Sequence, residues 1–131
     1  MEGTKRLSVL LVEDDKISRM LMETLLRTPG LAVRTAGDGL EALTLIQEWP
    51  PDFMITDLVM PVVNGRTLIQ RIRQMEMTFP ILVVSVHREI SAHDLGDPLN
   101  AVTMLHRPVS NTAFRRVVNR IVEKLEAERA S

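Results

Sequence analysis

The sequence has no cysteine, and its charges nearly cancel, giving a formal net charge of −1 over 131 residues. Without cysteine, the chain forms no disulfides, thiolate nucleophiles or cysteine-ligated zinc sites. A net charge near zero gives no general attraction to nucleic acid or to an anionic membrane surface. Any electrostatic function must therefore depend on a local group of charged side chains.

Long hydrophobic runs and glycine-rich phosphate loops are also missing. No apolar run approaches the roughly 20 residues that a membrane-spanning helix needs. The first residues place acids directly after a short apolar run and offer no small-residue cleavage site, so we expect no signal peptide. Neither G-x-x-x-x-G-K-[ST] nor G-x-G-x-x-G occurs, which removes the usual cradle for a nucleotide. We therefore expect a soluble cytoplasmic protein.

Apolar residues make up 45% of the chain, which is enough for one domain with a single core. Short and nearly continuous apolar runs predict strands buried on both faces at 7–12, 53–56 and 81–85. More alternating runs at 31–36 and 101–105 predict strands near the edges of the sheet.

Segments of helical periodicity separate the predicted strands. In the first, one face is expected to be apolar and to contain Ile17, Met20, Leu21, Thr24 and Leu25. Asp38, Asn64 and Ser110 are placed to cap three later helices. The segment 86–99 has few strong apolar residues, so we expect only a short or mobile helix there. This alternation predicts an open parallel sheet with helices on both faces.

Polar side chains follow four of the five predicted strands. Glu13 and Asp14 follow the first strand, and Asp57 follows the third. Ser85 ends the fourth strand, and Arg107 follows the fifth. Because ligands of such sheets lie beyond the carboxyl ends of the strands, we expect these side chains to converge there.

Carboxylates brought together in this way require compensation. Two of them repel by ~4 kcal/mol at about 4 Å and an effective dielectric near 20. Protonation or a bound divalent cation would offset this repulsion. A site of oxygen ligands favours Mg²⁺, with Mn²⁺ as an alternative. A nucleophilic carboxylate beside such an ion, opposite a hydroxyl and a cation, is suited to receiving a phosphoryl group.

Four motifs stand at these strand ends in order: LLVEDD, ITDLVMPVVNG, PILVVS and HRPVS. Together they resemble the receiver domain of bacterial response regulators, the CheY-like fold. The resemblance covers about residues 7–125 and implies one receiver domain over 1–131, with a last helix that could continue into an output module. It implies an α/β fold: a flavodoxin-like open five-stranded parallel sheet in strand order 2-1-3-4-5, with five helices on both faces.

The resemblance also implies a role for each acid. Asp57 would be the phosphoacceptor. Asp14, Asp57 and the backbone carbonyl of Val59 would bind Mg²⁺ directly, and Glu13 would bind it through water. Asp15 falls at a position that the family does not use for metal, and we expect it to cap the first helix.

Ser85 would be the switch hydroxyl, and Arg107 would be the cation that faces the phosphoryl group. Arg107 stands where the family has a lysine, and the Arg107–Pro108 bond is expected to be cis. Arginine keeps the charge but is longer, planar and forked. Met104 stands where an aromatic switch residue is common, and Val86 is bulkier than the small residue often found there.

Two-component signalling supplies the implied partners. The phosphoryl donor would be a sensor histidine kinase or a histidine phosphotransfer protein, and the output would pass to a downstream protein or a fused output domain. We expect no nucleic acid or membrane partner. A dimer is a further expectation, through the predicted helix in 86–99, the strand at 101–105 and the last helix.

Two other functions remain open at this point. A pseudo-receiver, which binds its partner without using phosphate, is indicated by Arg107, Met104 and Val86. A metal-dependent hydrolase is indicated by the acid cluster alone. We expect the chain not to be an enzyme, beyond slow autophosphorylation from small donors and slow loss of its own phosphate.

Overall fold

The computed structural model describes residues 6–130, so the ends of the predicted 1–131 domain, residues 1–5 and 131, lie outside the described residues. Five strands form one parallel sheet: β1 (Leu7–Val12), β2 (Leu31–Ala36), β3 (Phe53–Thr56), β4 (Ile81–Ser85) and β5 (Val102–His106). The strand order is β2-β1-β3-β4-β5. The predicted open sheet, its strand order and the two edge strands are therefore confirmed.

The described residues form four α-helices: α1 (Lys16–Leu25), α2 (Gly39–Glu48), α3 (Gly65–Gln74) and α4 (Asn111–Ala130). The prediction of five helices is wrong by one. The segment between β4 and β5 contains only a 3-10 turn, His93–Leu95. The physical reason is visible in the sequence, where few apolar side chains are available to pack a helix on the sheet.

Side chains cap the start of each helix. Asp15, Asp38 and Asn64 each accept a hydrogen bond from the backbone N–H three residues later. The Ser110 hydroxyl oxygen accepts one from Ala113 N in the same way. Such caps satisfy N–H groups that have no partner within the helix. All four predicted caps are confirmed.

Two apolar clusters lie on opposite faces of the sheet. Helices α2 and α3 cover one face, in a cluster that includes Leu10, Val12, Ala42, Ile46, Met54, Leu68, Ile69, Ile72, Ile81 and Val83. Helices α1 and α4 cover the other, in a cluster that includes Val9, Leu11, Met22, Leu26, Phe53, Ile55, Leu82, Phe114 and Val118. Burial of each large side chain contributes about 1.5–3 kcal/mol, and this two-sided core fixes the strand ends that build the site.

Most of the apolar face predicted for α1 does not pack on the sheet: of its apolar side chains, only the half-buried Leu25 packs against the core. Ile17, Met20 and Leu21 are exposed, whereas Met22 and Leu26 are buried. The helix has apolar residues on two faces, and the sheet contacts the face of Met22. Leu40 at the start of α2 is also exposed.

A buried ion pair holds the irregular segment between β4 and β5. The Arg73 guanidinium on α3 donates two hydrogen bonds to the Asp97 carboxylate, at 2.8 and 3.2 Å. The side chains are 5% and 1% exposed. Asp97 also accepts hydrogen bonds from the backbone N–H groups of Leu99 and Ala101. These contacts fix the segment in place of helical packing.

None of the helices within residues 6–130 combines the length and hydrophobicity that a lipid bilayer span requires.

Candidate functional site

The carboxyl ends of four strands converge at one edge of the sheet. Asp57 follows β3, and its backbone N–H donates to the Val12 carbonyl at the end of β1. Arg107 follows β5, and its backbone N–H donates to the Ser85 carbonyl at 2.7 Å. These bonds extend the parallel ladders past the strand ends and place the polar side chains close together.

Three carboxylates meet at this edge. Glu13, Asp14 and Asp57 each offer an oxygen that lies within 4.8 Å of the other two. Glu13 is buried, Asp57 is half-buried and Asp14 is exposed. The donor set contains only oxygen, which fits a hard divalent cation such as Mg²⁺. The predicted convergence of these three acids is thus present in the structure.

The pKa of Glu13 is raised above its ordinary value of 4.5. Burial is the main cause, and the nearby negative charge of Asp57 and the contact with Asp14 add to it. The backbone N–H of Asp15 and the positive charge of Arg107 oppose the rise in pKa. The protein surroundings alone therefore disfavour full ionisation of the three acids. A bound cation would lower the electrostatic free energy of the ionised site.

The loop after β3 holds the main chain of Asp57 tightly. The Asp57 carboxylate accepts a hydrogen bond from Leu58 N at 2.7 Å, and the Thr56 hydroxyl donates to the Asp57 carbonyl. Gly65 N donates to the Leu58 carbonyl at 2.7 Å. A Cβ on Gly65 would lie 2.9 Å from Leu58 Cα and closer still to the Asp57 carbonyl oxygen. Only glycine permits this close approach of the two backbones, which explains the glycine at position 65 of the motif.

Ser85 ends β4 and is fully buried. Its hydroxyl oxygen accepts a hydrogen bond from His87 N at 3.0 Å, which leaves the hydroxyl hydrogen to donate. Val86, directly after it, is exposed. Met104 on β5 is half-buried and packs against the core cluster beneath α2 and α3.

Arg107 contacts Glu13 across the sheet edge. Its Nη2 donates to Glu13 Oε1 at 2.5 Å, and the Arg107 side chain is 26% exposed. The Arg107–Pro108 peptide bond is cis, as the resemblance implied. The sequence placed Arg107 at this edge, but its contact with a residue 94 positions away could not be predicted from local patterns.

Sequence patterns did not single out Arg19, whose Nη1 donates to the Glu13 carbonyl oxygen at 2.8 Å. A basic residue one turn into the helix that follows the acids was the available signal. Val59 lies two residues past Asp57 with an exposed side chain. The metal role of its carbonyl stays a prediction.

The sequence matches the response regulator receiver domain over residues 9–119. The chain belongs to this family. Receiver domains are phosphoacceptor modules of two-component signalling that bind Mg²⁺ at an acidic cluster and interact with histidine kinases or phosphotransfer proteins. Here the cluster is formed by Glu13, Asp14 and Asp57.

Curated relatives are longer than this receiver domain. The Regulator of RpoS of Escherichia coli K12 is 32% identical over 103 residues, which cover 79% of this chain and 31% of that protein. The sensor histidine kinase RcsC of Salmonella typhi is 29% identical over 122 residues, which cover 93% of this chain and 13% of the kinase. The chain thus spans less than a third of the length of either protein.

Solved structures share the fold. The chemotaxis response regulator CheY4 of Vibrio cholerae is 27% identical, with a TM-score of 0.79. The match covers 89% of this chain and 99% of that structure. A near-complete match to CheY4 agrees with a receiver domain that occupies most of residues 6–130.

Proposed function

We propose that this receiver domain accepts a phosphoryl group on Asp57 from a phosphohistidine of a sensor histidine kinase or phosphotransfer protein. An Asp57 oxygen attacks phosphorus, the new O–P bond forms an acyl phosphate, and the N–P bond to the histidine breaks. The histidine nitrogen leaves with its electron pair. The convergence of Glu13, Asp14 and Asp57 within 4.8 Å is the observation that supports this function best.

Each residue at the sheet edge has a part in this transfer. Glu13, Asp14 and Asp57, with the Val59 carbonyl, would hold Mg²⁺, which supplies positive charge to the phosphoryl oxygens when bound. The carboxylate of Asp57 is half-buried, so a donor can approach it.

The remaining two groups respond to the new phosphate. The Ser85 hydroxyl has a hydrogen to donate to a phosphoryl oxygen, and the Arg107 guanidinium can neutralise its charge. A shift of Ser85 would disturb its bond to His87 N, and thereby the loop after β4.

That loop leads into the surface that we propose transmits the signal. It consists of the segment 86–101, β5 and α4, where the predicted fourth helix is replaced by irregular chain held by Asp97. A downstream protein, a fused output domain or a second copy of the chain would bind there. The switch is a change in this segment, because the phosphorylated site and the segment share the end of β4.

Exposed apolar side chains beside the acids provide a face for the phosphoryl donor. Ile17, Met20 and Leu21 lie on α1, which begins directly after the acids, and Val86 follows Ser85. A cavity of about 540 Å³ lies between α1 and the residues that follow β4 and β5. Its lining includes Leu21, Val86 and Arg107. A helix that presents a phosphohistidine would cover these side chains while reaching Asp57.

A small phosphodonor tests the chemistry without a partner. The protein is incubated with acetyl phosphate and Mg²⁺, and intact mass is measured. We expect a gain of about 80 Da, the mass of one phosphoryl group, that Asp57→Asn abolishes. Asp15→Asn is the matched control, because Asn also caps helices and the change removes an adjacent charge. Absence of the adduct with both small and protein donors would overturn the proposal.

The engagement of Arg107 by Glu13 favours a second candidate, a pseudo-receiver that binds its partner without phosphate. Partner affinity would then be equal before and after treatment with a beryllofluoride phosphate mimic. A large change in affinity would exclude this candidate.

We propose that the chain does not turn over external phosphomonoesters. The position two residues after Asp57 is Val59, so the second acid that a strand-end aspartate phosphatase uses is missing. Steady release of phosphate from a phosphomonoester, in proportion to protein concentration, would contradict this.

A further inference from the structure

Both carboxylate oxygens of Glu13 already have partners within the protein. Oε1 accepts a hydrogen bond from Arg107 Nη2 at 2.5 Å, and Oε2 accepts one from Asp15 N at 3.2 Å. The Glu13 side chain is 2% exposed, so water does not reach it freely. The charged partner of this buried acid is the Arg107 guanidinium.

The backbone of Arg107 is fixed, so its side chain determines where the charge lies. Arg107 N donates to the Ser85 carbonyl at 2.7 Å, and the Arg107 carbonyl accepts from Arg88 Nη2 at 3.4 Å. From the end of β5 the side chain extends to the end of β1. In the strand order, β3 and its Asp57 lie between these two strands.

The guanidinium and a divalent cation require the same acid. A cation held by Glu13, Asp14 and Asp57 draws on the Glu13 carboxylate either directly or through a water. Two positive charges close to one another repel, and within a half-buried site that repulsion is only weakly screened. Arg107 at Glu13 and the ion at the three acids therefore disfavour each other.

We propose that Glu13 holds Arg107 in competition with the divalent cation, so that Arg107 leaves Glu13 when the cation binds and becomes available to the phosphoryl oxygens on Asp57. This inference rests on the proposed phosphoacceptor function. It makes Glu13 the positioning residue of Arg107 as well as a member of the acid cluster. Metal binding and arginine placement are then coupled, and linkage requires the coupling to be reciprocal.

Metal affinity of the unphosphorylated protein tests the coupling directly. Mn²⁺ is titrated into the protein, and free Mn²⁺ is measured by electron paramagnetic resonance. We expect Arg107→Gln to bind Mn²⁺ about five- to tenfold more tightly than the wild type. Arg19→Gln is the matched control, because Arg19 contacts the carbonyl of Glu13 and not its carboxylate. We expect that control to change the affinity less than twofold.

The variant Glu13→Gln separates competition for Glu13 from general repulsion of the ion by Arg107. With glutamine at position 13, the added effect of Arg107→Gln on Mn²⁺ affinity should fall below about twofold, since no shared carboxylate remains. An equal effect in both backgrounds would overturn the proposal. So would unchanged or weakened Mn²⁺ binding in Arg107→Gln alone.

A measurement on the wild type needs no variant to fold. The Arg107 Nε–H resonance is followed by NMR while Mg²⁺ is added to the unphosphorylated protein. We expect its chemical shift to move and its hydrogen exchange to accelerate as the guanidinium leaves Glu13. A resonance that stays unchanged at saturating Mg²⁺ would contradict the proposal.

These experiments and the phosphodonor assay can fail separately. A chain that takes no phosphate on Asp57 but shows the Mn²⁺ coupling would retain the competition and lose its proposed purpose. A chain that takes phosphate but shows no coupling would retain the function and lose the role of Glu13 as the positioning residue of Arg107.

Discussion

Val62 has a backbone conformation that β-branched residues rarely adopt. Its φ is 70°, within the left-handed region, and its side chain is 77% exposed. Val63 N donates to the Pro61 carbonyl at 2.8 Å, which closes a tight three-residue turn around Val62. The turn belongs to the loop that ends at Gly65 and holds Asp57, so the strain lies beside the site.

Replacement of Val62 by asparagine should relieve this strain. Asparagine tolerates positive φ, and little packing is lost because the valine is exposed. We expect Val62→Asn to raise the free energy of unfolding by about 1 kcal/mol, measured by urea denaturation. Val59→Asn is the control, since Val59 is exposed in the same loop and is not among the residues with positive φ. An equal change in both variants would show that strain is not the cause.

Gly65 gives the opposite prediction. Alanine at the first residue of a helix would ordinarily gain roughly 0.5–1 kcal/mol over glycine. Here its Cβ would lie 2.9 Å from the backbone Cα of Leu58, and overpacking of that kind costs about 1–3 kcal/mol. The steric cost is larger, so we expect Gly65→Ala to lower the free energy of unfolding by about 2 kcal/mol. It should also slow labelling of Asp57 by acetyl phosphate.

Gly30→Ala is the matched control, because no atom lies within 4 Å of a Cβ added there and its φ is not positive. Its stability should be equal to that of the wild type or slightly higher. Equal stability of Gly65→Ala and Gly30→Ala would show that the backbone of Gly65 does not lie this close to the backbone of Leu58.

At the scale of elements, sequence patterns were informative where burial is local. The strands at 7–12, 53–56 and 81–85 have the predicted bounds, because continuous apolar runs suit strands covered on both faces. Strand ends then located the acids, since parallel strands present their carboxyl ends at one edge. The parallel sheet and the convergence of Glu13, Asp14 and Asp57 followed from that geometry, whereas the strand order came from the family resemblance.

The features that sequence patterns did not predict depend on contacts between residues that are far apart in the chain. Arg73 and Asp97 are 24 residues apart, and their pairing replaces a helix that the local pattern only weakly indicated. The predicted orientation of α1 was largely wrong, because the helix has two apolar faces and periodicity does not determine which of them packs on the sheet. Pairing of Arg107 with Glu13 likewise requires the folded sheet.

The Arg73–Asp97 pair should control the stability of the segment between β4 and β5. Loss of one partner from a buried ion pair leaves an uncompensated charge and costs about 3 kcal/mol. We therefore expect Asp97→Asn to lower the free energy of unfolding by about that amount at pH 7 in urea denaturation. Glu48→Gln, at the exposed end of α2, is the control and should have little effect.

The pH dependence has a defined sign. Burial alone would raise the pKa of Asp97, but hydrogen bonds from Arg73, Ala101 N and Leu99 N outweigh it and hold the pKa below its ordinary value of 3.8. On acidification the unfolded chain therefore takes up this proton first, and stability is lost as pH falls from above 3.8 through the lowered pKa. The free energy of unfolding should therefore fall less steeply with decreasing pH in Asp97→Asn than in the wild type. Equal slopes for the variant and the wild type would show that Asp97 is not the source of this pH dependence.

At the scale of the whole molecule, exposed apolar side chains lie mainly at the end of the sheet that holds the acids. Val59 and Val86 follow β3 and β4, and Ile17 lies in the first turn of α1. Leu99 lies at the opposite end, before β5. An apolar rim around charged groups is typical of a surface that a protein partner covers. Under the proposed function, this rim would recognise the phosphoryl donor, and the acids would carry the chemistry.

A double variant tests that separation. Ile17→Ser with Leu21→Ser removes two side chains that are 69% and 63% exposed, so the free energy of unfolding should change by less than about 0.5 kcal/mol per site. Labelling by acetyl phosphate should be unchanged, because neither residue is among the acids. Transfer from a purified, radiolabelled histidine kinase should slow by about tenfold, since apolar anchors at an interface dominate its affinity.

The control is Leu99→Ser, at the far end of the sheet, which should change neither the rate of labelling by acetyl phosphate nor the rate of transfer from the kinase. Equal slowing with the small donor would place these side chains in the chemistry, and unchanged kinase transfer would remove α1 from the donor interface.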